Sequence, residues 1–121
     1  MSTLTEVLGA GHFIVSECDE GNLSREAVTI TGGSYIAGTV LGKITASGKY
    51  TLHNNAASDG SEVAEAVLFA AVDASAADVT GVIIARLAEV NGAELTWKSG
   101  ISAPNKTAGI AALATKNIIV R

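Results

Sequence analysis

The chain has one cysteine, Cys18, one proline, Pro104, and two histidines, His12 and His53. Each scarcity excludes something. A lone cysteine cannot close an internal disulfide or furnish a Cys-rich zinc site, and it suits synthesis in a reducing cytoplasm. Aromatics are equally thin, with two Phe, two Tyr and one Trp in 121 residues. The core must therefore be aliphatic and closely packed. Eight basic residues stand against twelve acidic ones, for a formal net charge of −4, and they are scattered singly. Nucleic-acid binding needs a basic cluster that displaces phosphate counterions, so no nucleic-acid partner is expected. No apolar run is long enough to cross a bilayer, and Met1-Ser2-Thr3-Leu4-Thr5-Glu6 has no basic start. Neither a membrane association nor a secretion signal is expected. Without secretion, the sequons at Asn22-Leu23-Ser24 and Asn105-Lys106-Thr107 have no meaning.

What the chain does have is 48% apolar residues, enough at this length for one domain with a real core. Residues 1–25 differ from the rest. They carry Glu6, Glu17, Asp19 and Glu20 against the single base Arg25, with glycines at 9, 11 and 21. Their one compact apolar run, Phe13-Ile14-Val15, is strand-capable but has no evident partner within the domain. The stretch reads as an extended, loosely held arm. Residues 26–121 read as a single β-rich domain.

Ala27-Val28-Thr29-Ile30 predicts a strand stopped by Gly32-Gly33. Residues 37–45 and 49–52, separated by Ser47-Gly48, predict a hairpin, and Gly42 within its first strand marks a bulge or a close backbone approach. Asp59-Gly60-Ser61 ends a polar loop. Residues 64–72 form a nearly unbroken apolar run, taken as one buried strand, and residues 79–90 a second strand. Asn91-Gly92 predicts a hairpin returning through Glu94-Leu95-Thr96-Trp97. Ser102 or Asn105 can cap a helix with Pro104 in its first turn. That helix runs to Lys116, docks through Ile110 and Leu113, stops at Asn117 and precedes a short strand, Ile118-Ile119-Val120. The fold class expected is mainly β: a small barrel or sheet of short strands with one short C-terminal helix.

The chemistry on offer is sparse, and neither a catalytic, a metal nor a cofactor site is expected. His12 lies six residues from Cys18, but both fall in the expected arm, where nothing would hold a nucleophile and base in register. Asp59-Gly60-Ser61-Glu62 lacks the alternating oxygen ligands of a calcium loop and reads as a turn tied by Asp59 to nearby amides. Gly9-Ala10-Gly11 follows no strand and opens no helix, so it is no dinucleotide fingerprint. Trp97 reads as core or interface packing rather than a sugar-stacking ring. Arg86 and Glu89, in an apolar strand, read either as a subunit-contact pair or as a solvated face.

In order along the chain, several segments resemble the lambda-type bacteriophage head decoration family. They are Ser24-Arg25-Glu26-Ala27-Val28-Thr29-Ile30, Ala37-Gly38-Thr39-Val40-Leu41-Gly42-Lys43-Ile44-Thr45, Gly48-Lys49-Tyr50, and Ala56-Ala57-Ser58-Asp59-Gly60-Ser61-Glu62. Val72-Asp73-Ala74-Ser75, Leu95-Thr96-Trp97 and the C-terminal helix leading to Ile118-Ile119-Val120-Arg121 continue the series. The resemblance covers roughly residues 10–121, and its most specific part is the series from Ala37 to Glu62. It implies a β-clip-like fold, a non-enzymatic role and no cofactor. It further implies homotrimers on the outer surface of the expanded capsid, bound to the major capsid protein of the virion shell. In that family the N-terminal segment becomes ordered on the shell, typically by adding a strand to a sheet edge, a mode that draws on main-chain hydrogen bonds. His12, Phe13, Ile14, Val15 and Ser16 are then the expected capsid contacts, and Trp97, Arg86 and Glu89 the expected trimer or packing residues. The competing expectation is a β-clip ligand-binding or display module, such as a carbohydrate binder, which would need an aromatic-lined concave site.

Overall fold

A computed structural model of the chain describes residues 10–17 and 23–121. The elements run β1 (Ile14–Glu17), β2 (Arg25–Ile30), β3 (Ser34–Tyr35), β4 (Val40–Lys43), β5 (Tyr50–Leu52), β6 (Ala64–Leu68), β7 (Val72–Asp73), β8 (Val79–Ile84), β9 (Ala88–Val90), α1 (Ala103–Ala114) and β10 (Ile118–Val120). Strands β2-β5-β4-β6-β8 close into a barrel. Only the β2–β5 seam, where Ile30 meets Tyr50, is parallel; the other four are antiparallel. A three-stranded sheet in the order β1-β9-β10 and a two-stranded β3-β7 ribbon complete the strands. The fold is mainly β with one C-terminal helix, as the sequence pattern predicts.

Two cores explain the apolar pattern. Ile30, Leu41, Tyr50, Ala66, Leu68, Ala74 and Ile83 form one cluster. Val40, Val67 and Ile84 belong to the other, together with Phe13 from the N-terminal segment, Leu113 from α1 and Ile118 from β10. Consecutive residues of β4, β6 and β8 thus alternate between the barrel interior and a second layer outside it, as period-two strands must. Because both faces are covered, these strands read as unbroken apolar runs. Covering the outer face is the work of α1 and the β1-β9-β10 sheet.

Three sequence expectations are corrected. The run 64–72 is not one strand: β6 ends at Leu68 and β7 begins at Val72, where the chain leaves the barrel to pair with β3. The run 79–90 also divides, into β8 of the barrel and β9 of the outer sheet. Leu87, at φ 56°, makes the turn between them, in the left-handed region that a branched side chain rarely enters. Asn91-Gly92 makes no hairpin. The Asn91 side chain accepts from the Ala93 amide and caps a single 3-10 turn, Gly92–Glu94, and Thr96 then forms a parallel bridge to Thr39. Capping by Asn competes with its use in a type I′ turn, and here the cap wins.

The remaining punctuation holds. Ser102 caps α1 and Pro104 occupies its first turn. Asn117, at φ 60°, turns the chain out of the helix and into β10, parallel to β9. The β4–β6 register shifts between Leu41 and Gly42, and a Cβ on Gly42 would lie 2.6 Å from the Ser61 Cα. Gly42 therefore combines the bulge and the close approach that its position predicts.

Candidate functional site

Among the described residues, chemistry-bearing side chains do not gather into one cluster. Among the described residues, no group of three His, Cys, Asp or Glu side chains is placed to hold a metal, and no helix is long and apolar enough to cross a membrane. His12 and His53 have separate surroundings, and Cys18 lies outside the described residues. Asp59 Oδ1 accepts from the Ser61 amide at 3.0 Å and its hydroxyl at 2.6 Å, the turn anticipated for that segment.

The site that stands out is the outer sheet, where the N-terminal segment meets the domain. Residues 10–17 of the expected arm lie against the domain. Ile14 pairs with Val90, Ser16 with Glu89 and Glu17 with Ala88, with a bulge between Ile14 and Ser16. Phe13 is fully buried in the outer core, and its carbonyl accepts from the Asn91 amide at 2.7 Å. The Gly11 amide donates to the Phe69 carbonyl at 2.9 Å. The Phe13-Ile14-Val15 run does have a partner in its own domain: β9, freed for pairing by the break at Leu87 that the sequence reading passed over. Phe13 is thus an anchor, not a surface group. Residues 1–9 and 18–22 of the expected arm lie outside the described residues.

What this segment presents outward is different. Val15, at the bulge, is 54% exposed, and β1 forms one edge of its sheet. Among the described residues no strand covers that edge, so its backbone is a template for an incoming strand. Ser16 donates to Glu89 at 2.9 Å, and Arg121 Nε donates to the other Glu89 oxygen at 2.9 Å. The Arg121 guanidinium, aided by Ser16, holds the Glu89 carboxyl below the usual carboxylate range. His12 Nε2 lies 3.3 Å from Glu94, and its ring meets Phe13 edge-on at 5.6 Å.

Glu17 closes the far end of β1. Arg25 donates to it twice, at 2.7 and 3.0 Å, and the Ser24 hydroxyl at 2.7 Å. Arg25 also lies 4.1 Å over the Phe69 ring. The Arg25 bond, opposed by burial and aided by Ser24, depresses the Glu17 carboxyl. A depressed folded-state carboxylate contributes stability that is present above its ordinary value of about 4.3 and is lost as pH falls through the folded value. Urea midpoints measured from pH 6 to pH 3 are therefore expected to fall less steeply for Glu17→Gln than for the parent chain. Asp59, Asp73, Asp78 and Glu89 are depressed too, so the slope should shrink rather than vanish. An unchanged slope would show that the Arg25 clamp contributes nothing.

Arg86 and Glu89 do not pair with one another. Arg86 pairs with Glu26 at 2.5 Å and donates to the Leu23 carbonyl at 2.9 Å, whereas Glu89 belongs to Arg121 and Ser16. Trp97 packs against the outer core, and a Cβ on Gly109 would lie 2.5 Å from its ring. Its indole packs on α1 and is half-buried. Sequence reasoning missed the exposed aliphatics. Ile36 is 60% exposed and lines a cavity of about 540 Å³ with His12, Ala93 and Leu95. Leu87 and Ile119 flank Glu89 on the outer sheet. Ile36 falls between β3 and β4, out of any alternation, so no periodic signal marked it.

A family model described as Bacteriophage lambda head decoration protein D matches residues 3–118 of the 121-residue chain. No curated protein matches it.

Proposed function

The chain belongs to the bacteriophage lambda head decoration protein D family, and from that membership we propose that it binds the outer surface of the expanded phage capsid as homotrimers and stabilises the head against packaged DNA. The match over residues 3–118 carries this reading. Its partners are then the major capsid protein and further copies of itself, its place is the virion surface, and its role is structural rather than catalytic.

The physical mechanism needs no chemistry. A protein that binds only the expanded lattice stabilises that lattice by mass action. Trimerisation ties three weak contacts together, and the effective concentration of the second and third far exceeds that of free protein. The open edge of β1 supports strand addition as the contact. On this reading Val15 and Ser16 of that strand meet the shell, with His12 beside them and Phe13 and Ile14 fixing the strand from beneath. Around Glu89, the exposed Leu87 and Ile119 suit a contact between copies better than the Arg86–Glu26 pair, since a solvated ion pair contributes little.

Co-sedimentation with expanded, undecorated heads tests the reading. The full chain is expected to bind saturably. Val15→Glu, which sets a charge beside the open edge, is expected to weaken binding by about tenfold or more, an effect of about 1.4 kcal/mol, with its thermal midpoint unchanged. Equal binding by Val15→Glu would move the contact off β1. No binding by the full chain would sink the decoration role.

A further inference from the structure

His53 is the one buried side chain among the described residues left with an unsatisfied polar atom. The residue is 2% exposed. Its Nε2 lies 3.1 Å from the Glu62 carbonyl, which fixes the Nε2–H tautomer, and Nδ1 has no hydrogen-bond partner. The ring meets Trp97 edge-on, with centroids 5.9 Å apart and planes at 79°. Trp97 in turn fills the space left by the missing Cβ of Gly109 on α1. A cavity of about 320 Å³ lies between His53 and the helix, walled on the helix side by Asn105, Ala108, Gly109 and Ala112.

We propose that His53 is a proton-operated latch on α1: protonating its imidazole releases Trp97 and the helix from the barrel, which itself stays closed. In the neutral ring, Nδ1 is an acceptor without a donor. Protonation makes it a second donor, and brings a charge, where no acceptor is within hydrogen-bond distance. Of the groups sharing the cavity, Glu62 alone carries a charge, and its carboxylate already accepts from the Gly60 amide at 2.8 Å. α1 offers only Asn105 and small apolar residues there, β6 offers Ala64, and Trp97 is uncharged. The cavity beside His53 is the space from which water can reach an imidazolium once the helix loosens. The His53 backbone is tied to the Val40 carbonyl at 3.0 Å, so the helix gives way rather than the strand. α1 is also lightly anchored, since Leu113 and Gly109 are its only buried residues.

Burial pushes the His53 imidazole below its ordinary value of about 6.5, the Glu62 bond offsetting part of the drop. The sign follows. Docking of α1 is at full strength above about pH 6.5 and weakens as pH falls from there to the docked-state value, by about tenfold for each pK unit between the docked and released forms.

Two-dimensional NMR on the full chain between pH 7.5 and pH 4.5 tests this. The His53 imidazole is expected to titrate below 6.5. The Trp97 indole N–H and the α1 amides should shift with the same midpoint and lose protection against hydrogen exchange, while β2 and β8 amides keep theirs. In His53→Gln the α1 response should disappear. The latch is overturned if His53 titrates without moving α1, if His53 stays neutral throughout with α1 unchanged, or if His53→Gln retains the response. Should that variant not fold, the agreement of midpoints in the parent chain decides alone.

Discussion

Replacing Phe13 by Ala is expected to destabilise the chain by about 3–5 kcal/mol, the range for removing a fully buried aromatic from a core that cannot collapse around the gap. The ring has no exposure and belongs to one cluster with Val90, Ile118, Leu113 and residues of the barrel wall, so its loss touches β9, β10 and α1 together. For a domain of this size the thermal midpoint should drop by roughly 10 °C or more. Val15→Ala, two residues on and half exposed, should cost less than about 0.5 kcal/mol, as surface substitutions do. Urea and thermal unfolding of the two variants check the contrast. A Phe13→Ala loss below about 1 kcal/mol would mean that β1 is not docked in solution and that the segment behaves as the free arm its composition suggests. The expected large loss instead makes β1 a preassembled edge. Little ordering entropy would then remain to be lost when a shell strand adds to it.

How far the sequence led can be judged from the same residues. The barrel hairpin β4–β5, the cap at Ser102, the stop at Asn117 and the strand after it were all legible, because each rests on interactions within a few residues of chain. Gly42 was legible as a close approach, though Ser61 could not be named as what approaches. The errors have one cause: a long-range partner overrode a local pattern. Val79 to Val90 reads as one strand because the two pieces, serving different sheets, are both apolar. The break between them depends on Leu87 tolerating a left-handed backbone, which no leucine advertises. Once that break was missed, β9 was invisible as a partner, and Phe13-Ile14-Val15 looked stranded. Asn91 fits both a hairpin and a cap, and in the fold it caps the 3-10 turn while Thr96 bridges to Thr39. As for the candidate site, composition marked Phe13-Ile14-Val15 as strand-capable but could not show that Phe13 is buried in the domain's own core.

Gly60→Ala is expected to cost about 2–5 kcal/mol, and Gly48→Ala about 1–2 kcal/mol, although both glycines have positive φ. At φ 74° Gly48 sits in an open turn, where a Cβ would have nothing closer than the Lys43 Cε at 4.0 Å. Its substitution carries only the left-handed backbone cost. Gly60, at φ 112°, packs against the end of β4, and a Cβ there would stand 2.5 Å from the Lys43 carbonyl and 2.8 Å from the Thr45 amide. Neither backbone group can retreat, because the Thr45 amide donates to the Asp59 carbonyl at 2.9 Å. The loop would have to lift, breaking that bond and drawing Ser61 away from Gly42. The Glu62 carbonyl that supports His53 sits two residues further on, so lifting the loop should also disturb the helix side of the molecule. Urea midpoints for the two variants separate backbone strain, common to both, from close approach, present only at Gly60. Equal losses would mean that the loop does not rest on β4. A larger loss at Gly60, accompanied by a changed Trp97 fluorescence, would show that the loop at Asp59–Glu62 and the helix are mechanically joined through His53.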